Sequence, residues 1–209
     1  MNFRYPIFLD LSGKKCLVTG AGHEVSSKVQ GLVDASASVT YVNPHAEPAI
    51  EAMAAAGAIR WMAREFVPQD LEGCFLVITD RDDNSPIFQL AEECGVLCNA
   101  VDDPAYCRFT FGSIHRQGDL TIAISTNGRA PAVAVRLREC LQAEIGPEYG
   151  ELLDLLKEAR PRITAAVADF AARRALWYRI VDSAVLGLLR EGRREEAARV
   201  LNQMVDEAR

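Results

Sequence analysis

The stretch CLVTGAGHEVSSK, residues 16–28, decides the fold of this chain. It opens with a short apolar run closed by Gly20, which is typical of a strand buried on both faces. Gly20 and Gly22 supply G-x-G directly before a segment with helical spacing. Strand, glycine turn and helix in this order are typical of a loop that binds phosphate. The third glycine of G-x-G-x-x-G is replaced by Val25, so the motif alone leaves a nucleotide loop and a structural turn equally open.

The segments after this stretch alternate between apolar runs and helical patterns. In the first helix, Val25, Val29, Leu32 and Val33 fall on one face. Further strands are predicted at SVTYVNP, IRWMARE, CFLVITD and VLCNAVDD, and further helices at EPAIEAMAAAG and SPIFQLAEECG, each ended by a glycine. This order predicts an α/β fold with a Rossmann-type doubly wound parallel sheet.

The pattern changes after residue 113. GDLTIAISTNG, residues 118–128, predicts one strand and a turn, and Pro131 opens a helix. From about residue 147 the sequence is helical and rich in charged residues, and Pro161 and Gly192 are expected to interrupt the helices. We therefore predict three parts: a Rossmann-type domain over 1–113, a strand-helix connector over 114–146, and an all-helical C-terminal domain over 147–209.

Composition narrows the class of protein. The formal net charge of −6 argues against a general nucleic-acid binder. No apolar run approaches a membrane span and no signal-peptide core is present, so we expect a cytoplasmic protein without membrane contact. Cys94 and Cys98 form C-x3-C without a second pair, and the sequence therefore predicts reduced structural thiols and no metal site.

Two turns and two histidines are candidates for chemistry. NAVDDP, residues 99–104, places two carboxylates at the end of the fifth strand, where they could carry protons or meet a metal, or simply form a proline turn. ISTNGRAP, residues 124–131, could form an anion-binding nest aided by Arg129, or an ordinary helix cap. His45 and His115 are single histidines near strand ends, a position that suits a proton carrier and a packed side chain alike.

Three ordered segments resemble one family, the precorrin-2 dehydrogenases of the siroheme-synthase type. They are YPIFLDLSGKKCLVTGAG from residue 5, CNAVDDPAYCRFTFGSI from residue 98, and GDLTIAISTNGRAPAVAVRLRE from residue 118. The helical tail, with RRALWYRIV, is similar to the C-terminal portion of the same family more loosely. Three segments with consistent spacing are far more specific than any one of them.

The resemblance implies NAD-dependent oxidation of precorrin-2 to sirohydrochlorin, with Fe²⁺ insertion by the same cleft in some members. It also implies a homodimer formed after the Rossmann domain. The family's catalytic aspartate corresponds to Asp102. The implied NAD contacts are Gly20, Gly22, His23, Glu24, Pro44 and His45. The implied tetrapyrrole contacts are Ser125, Thr126, Asn127, Gly128 and Arg129, with Arg136 and Arg138 as further cations for the substrate's carboxylates.

The first loop departs from the family pattern. Ala21 replaces its middle glycine, Glu24 its valine and Ser27 its arginine, whereas Lys28 is retained. These changes bear on cofactor affinity more than on the fold. Two alternatives therefore stay open: a divergent paralogue that acts on tetrapyrroles as a chelatase or binder without NAD, and a non-catalytic Rossmann-like module that dimerises.

Overall fold

The computed structural model describes residues 4–208 and divides the chain into two compact units. The first unit extends to Phe111 and the second begins at Gly112. The division into three parts expected from the sequence stays a prediction, because both predicted C-terminal parts fall inside the second unit.

The first unit is a five-stranded parallel sheet flanked by helices. Its elements are β1 (Lys15–Gly20), α1 (His23–Asp34), β2 (Ser38–Val42), α2 (Pro48–Ala55), β3 (Arg60–Met62), β4 (Leu76–Asp80), α3 (Ser85–Cys94) and β5 (Leu97–Ala100), with short 3-10 helices at Pro68–Leu71 and Pro104–Tyr106. The strand order is β3-β2-β1-β4-β5, and every pairing is parallel. The predicted doubly wound fold is confirmed. The order in which successive strands are added to the sheet reverses between β1 and β4, and ligands bind at the carboxyl ends of the strands beside such a switch point.

Alternate residues of β1 enter two separate cores. Val18 packs with Val25 and Val29 of α1 on one face of the sheet, as the helical spacing predicted. Leu17 packs with Ile87 of α3 on the other face. Burial also raises the pKa of the Cys16 thiol to about 11 and keeps it protonated at neutral pH, where it packs as a small apolar group.

The second unit combines a β-hairpin with five helices. Its elements are β6 (Ser113–Gln117), β7 (Leu120–Ile124), α4 (Pro131–Glu144), α5 (Glu148–Ala166), α6 (Phe170–Val181), α7 (Val185–Arg190) and α8 (Arg194–Asp206). The sequence predicted only one strand here. It missed β6, which pairs antiparallel with β7, because His115 is the only fully buried residue among SIHRQ and the apolar alternation is weak.

Pro161 lies inside α5 and does not interrupt it as its position suggested. Proline has no N–H to pair with the carbonyl of Lys157. Pro161 and Lys157 are exposed, so water can donate a hydrogen bond to that carbonyl. Gly192 does separate α7 from α8. None of the helices within residues 4–208 is long and apolar enough to cross a membrane.

Candidate functional site

The loop after β1 begins at a position that only glycine fits. Gly20 has a φ of 117° and lies opposite Asp80 in the sheet register. A Cβ atom at Gly20 would lie 2.8 Å from the Cβ of Asp80, and the Asp80 backbone carbonyl would be closer still. The first glycine of the motif is therefore required by the close approach of β1 and β4 at their carboxyl ends.

Gly22 occupies a different environment, at the N-cap of α1. Its φ is 103°, and a Cβ there would have no atom within 4 Å. The N–H groups of the first turn of a helix have no acceptor within it, and in α1 no side chain caps them. Open space beside unpaired N–H groups and a helix N-terminus fits a phosphate group.

Glu24 forms an ion pair with a lysine one turn further along α1. Its carboxylate lies 3.3 Å from Nζ of Lys28, which in turn sits 4.8 Å from the centre of the Phe111 ring. Glu24 and its neighbour His23 are both exposed. The unusual residue of this loop, Glu24, therefore has its charge balanced by Lys28, the lysine that this sequence shares with the family pattern.

The loop after β2 is tied by three side chains to backbone carbonyls. The Tyr41 hydroxyl donates to the carbonyl of Gly20 at 2.6 Å and lies 3.3 Å from that of His45. Nδ2 of Asn43 donates to the same His45 carbonyl at 2.7 Å, and Nε1 of Trp61 donates to the Asn43 carbonyl at 3.0 Å. His45 itself is exposed and Pro44 half-buried. The two loops that the sequence assigned to the dinucleotide are thus joined through Tyr41.

Asp102 lies in the turn after β5 and has a left-handed backbone, with a φ of 53°. Its side chain is exposed. The turn rests on Cys107, whose Sγ lies 3.1 Å from the carbonyl oxygen and 3.3 Å from the nitrogen of Ala100. A left-handed aspartate held by buried neighbours is a pattern concentrated at functional sites.

Asp80 ends β4 between the first loop and the turn of Asp102. Burial, and then the nearby carboxylates of Asp102 and Glu24, raise the pKa of Asp80 above its ordinary value. The sequence analysis assigned no role to Asp80. Its carboxylate nevertheless interacts with the charges of both Glu24 and Asp102. The structure therefore brings two of the predicted site regions together at one edge of the sheet.

Replacing Asp80 with asparagine is expected to stabilise the fold at neutral pH. Because the folded pKa of Asp80 is raised, the folded state disfavours the ionised carboxylate as the pH rises above about 4, the ordinary aspartate value. The Asp80→Asn protein should melt higher than wild type at pH 7, by about 2–4 °C for a gain of about 1 kcal/mol. Thermal unfolding over a pH series measures this, and the difference should vanish below about pH 4.

Asp83 provides a control of opposite sign. Hydrogen bonds from the Ser85 hydroxyl and backbone N–H lower the pKa of Asp83. Its replacement by asparagine should therefore lower stability at neutral pH, and this loss should also disappear in acid. A lower melting temperature for Asp80→Asn at pH 7 would contradict our interpretation of the Asp80 environment.

The turn between β7 and α4 holds the predicted tetrapyrrole residues. Asn127 and Gly128 are left-handed in succession, with φ values of 52° and 76°. The Ser125 hydroxyl accepts from the Asn127 N–H at 3.1 Å, and that of Thr126 accepts from the Ala130 N–H at 3.3 Å. These residues form one compact turn of the second unit.

The three candidate arginines differ in their partners. Arg136 pairs with Glu139 at 2.9 Å, and Arg138 donates to Gln142 at 2.8 Å. Arg129 is exposed and makes no ion pair with any residue in the range 4–208. Of the three, Arg129 is the cation that an anionic ligand could engage without breaking an existing contact.

His115 has a structural position. It is buried on β6, and its Nε2 lies 2.8 Å from the carbonyl of Ile145, which requires that nitrogen to be the donor. Across residues 4–208, no group of three or more His, Cys, Asp or Glu side chains is arranged to hold a metal ion. Cys94 is exposed and Cys98 buried, each as a free thiol.

Three family models match this chain in sequence. One described as "Putative NAD(P)-binding" covers residues 7–113, one for the central part of sirohaem biosynthesis proteins covers 117–144, and one for the sirohaem synthase dimerisation region covers 148–205. The three matches follow one another along almost the whole chain.

Individual relatives agree with these matches. Siroheme synthase 3 of Aeromonas hydrophila is 37% identical over 87% of this chain and 40% of its own length. The siroheme synthase of Neisseria meningitidis serogroup C is 32% identical over 99% of this chain and 44% of its own. The chain therefore spans about two fifths of these relatives. A solved precorrin-2 dehydrogenase, SirC, superposes with a TM-score of 0.75 at 22% identity, covering 98% of this chain and 100% of that one, and shows the same fold.

Proposed function

The chain belongs to the NAD(P)-binding family whose model matches about half of its length, and we propose that it oxidises precorrin-2 to sirohydrochlorin with NAD⁺. The names of its relatives support the pathway, since the two described above, which match over most of this chain, are siroheme synthases. The solved dehydrogenase of the same fold supports the reaction.

The observation that carries the proposal is the open cradle at Gly22. The N–H groups of the first turn of α1 would hold the pyrophosphate of NAD⁺, and Gly22 leaves room for it. The loop of Pro44 and His45 would flank the adenosine half, and His23 and Glu24 would border the phosphates. When bound, NAD⁺ supplies a hydride acceptor.

Asp102 is the proposed proton acceptor. Oxidation of precorrin-2 removes two hydrogens, one leaving as a hydride to the cofactor and the other as a proton to a base. Asp102 is exposed at the carboxyl edge of the sheet, on the same edge as the dinucleotide loop. Burial, and then the negative charge of Asp102, raise the pKa of Asp80, so a second carboxyl group lies in the same electrostatic environment as the proposed base.

The turn between β7 and α4 is the proposed contact for the tetrapyrrole. Precorrin-2 carries carboxylates around its ring, and these suit cations and unpaired backbone N–H groups. Arg129 supplies an exposed guanidinium, next to the left-handed pair Asn127 and Gly128. Ser125 and Thr126 complete the turn with hydroxyl groups that already order it.

The second unit is the proposed homodimer interface. Residues 148–205 match the dimerisation region of sirohaem synthases. Apolar side chains are also exposed on the neighbouring elements of this unit, with Val133 and Leu137 on α4 about half exposed and Ile114 on β6 nearly so. Apolar patches exposed on a folded protein mark interaction sites, and a second copy of the chain would cover this one.

A second activity, insertion of Fe²⁺ into sirohydrochlorin, is the other candidate. The observation that favours it is that Asp80 and Asp102 lie at the carboxyl ends of the paired strands β4 and β5, where their carboxylates could accept the protons that pyrrole nitrogens release when a metal enters. In this activity Fe²⁺ is a substrate. The reaction needs no hydride acceptor, so it can be separated experimentally from the oxidation.

The purified protein, incubated anaerobically with precorrin-2 and NAD⁺, is expected to produce NADH and the absorption spectrum of sirohydrochlorin together. Absence of both would overturn the dehydrogenase. Metal insertion into sirohydrochlorin without NAD⁺, followed with Co²⁺, would then favour the divergent chelatase. Failure to bind any tetrapyrrole would leave the non-catalytic dimerising module.

A further inference from the structure

The Tyr41 side chain brings a polar hydroxyl group into the apolar core beside the parallel sheet. It is fully buried on β2, within the apolar cluster that contains Val18 and Val25. A buried hydroxyl needs a partner, and this one donates to the Gly20 carbonyl at 2.6 Å. Burial raises the pKa of Tyr41, so the hydroxyl keeps its proton and stays a donor at neutral pH.

A hydroxyl has one proton, so its two nearby carbonyls are not equivalent. The Gly20 carbonyl, at 2.6 Å, is favoured over that of His45, at 3.3 Å. The loop after β2 is held without the hydroxyl, because Nδ2 of Asn43 donates to the His45 carbonyl at 2.7 Å within the loop and Nε1 of Trp61 on β3 donates to the Asn43 carbonyl at 3.0 Å. Loss of the Tyr41 hydroxyl would therefore release the loop after β1 and leave the loop after β2 attached.

The bond to Gly20 fixes the direction of the next N–H group. The peptide between Gly20 and Ala21 is planar and trans, so its N–H is opposite its carbonyl. With the carbonyl held toward the buried Tyr41, the Ala21 N–H is directed away from the core. Glycine can adopt a wide range of backbone dihedral angles, so without the Tyr41 hydroxyl this peptide could rotate.

We infer that Tyr41 is a positioning residue of the dinucleotide site, which acts by orienting the Ala21 N–H toward the phosphates of the ligand. This rests on the proposed use of NAD⁺ and adds a residue that touches neither cofactor nor substrate. Phosphate binding should depend on the hydroxyl, whereas binding of the adenosine half should depend on the separately held loop after β2.

Calorimetry on the full chain tests this with Tyr41→Phe and three probes: NAD⁺, ADP and adenosine. We expect NAD⁺ and ADP to bind about tenfold more weakly, the effect of losing roughly one well-placed hydrogen bond, with adenosine unchanged. Tyr178→Phe makes the same chemical change at an exposed site and should leave all three affinities unaltered. Unchanged ADP affinity, or an equal loss for adenosine, would overturn the inference.

Measurements on wild type separate the remaining outcomes and cover a Tyr41→Phe chain that fails to fold. ADP, but not adenosine, should shift the Ala21 amide resonance strongly in ¹H–¹⁵N NMR spectra; an unmoved Ala21 signal would refute the inference. A wild-type chain that binds ADP but neither binds nor uses NAD⁺ would refute the proposed function alone. Binding of neither ADP nor NAD⁺ would refute both.

Discussion

Replacement of Asp102 with asparagine is expected to lower kcat for precorrin-2 oxidation by about 10²–10⁴-fold, the usual contribution of a general base. Asparagine has nearly the same size and tolerates the left-handed backbone that Asp102 adopts, so the turn after β5 should keep its shape. NAD⁺ affinity should stay close to wild type, because Asp102 is not among the residues proposed to hold the cofactor. Steady-state kinetics and calorimetry measure the two effects separately.

Asp103 provides the discriminating comparison, since it follows directly in the same turn. Its backbone is not left-handed, with a φ of −126°, and its carbonyl contacts the Cys107 thiol that supports the turn. If Asp103→Asn removed turnover and Asp102→Asn left it unchanged, the catalytic assignment would belong to Asp103. A matched melting temperature for both variants would ensure that lost activity reflects chemistry and not unfolding.

The sheet could be predicted because its signals are local. Buried parallel strands are continuous apolar runs, and helix ends such as the left-handed Gly95 are visible as single residues. The same reasoning failed at β6, because this strand buries only His115 and is held in place by its backbone pairing with β7. Pro161 misled for a related reason, because whether a proline interrupts a helix depends on the exposure of the carbonyl that it leaves unpaired.

The candidate site was only half visible in the sequence. The glycines of the first loop and the aspartates after β5 stand in short motifs, so spacing alone indicates them. Tyr41 and Cys107 stand outside these motifs and contact carbonyls within them, those of Gly20 and Ala100. A tyrosine or cysteine in an apolar run indicates only packing. Asp80 is visible in the sequence as a charged residue, but its pKa is raised by burial and then by the carboxylates of Asp102 and Glu24, which come from other segments of the chain.

The two glycines of the first loop are expected to fail in different ways when replaced by alanine. Gly20→Ala combines a positive φ with a clash against the Asp80 backbone, so it should lower the free energy of unfolding by about 3 kcal/mol or more. For a chain of this size this lowers Tm by about 6–12 °C. Gly22→Ala meets no neighbouring atom, so only the strain of its backbone, about 1–3 kcal/mol, opposes folding.

Binding should reverse that order, because the Cβ of Gly22→Ala would enter the space proposed for the pyrophosphate. We expect NAD⁺ to bind this variant at least about tenfold more weakly, equivalent to roughly 1.4 kcal/mol. Gly13→Ala supplies the matched control: its φ of 67° is also positive and its surroundings are also open, but it lies before β1, away from the loop. Calorimetry and thermal unfolding of the three variants would contradict the cradle if Gly22→Ala bound NAD⁺ as tightly as Gly13→Ala. In that case the open space beside α1 would belong to the turn alone, and the glycines would serve only the fold.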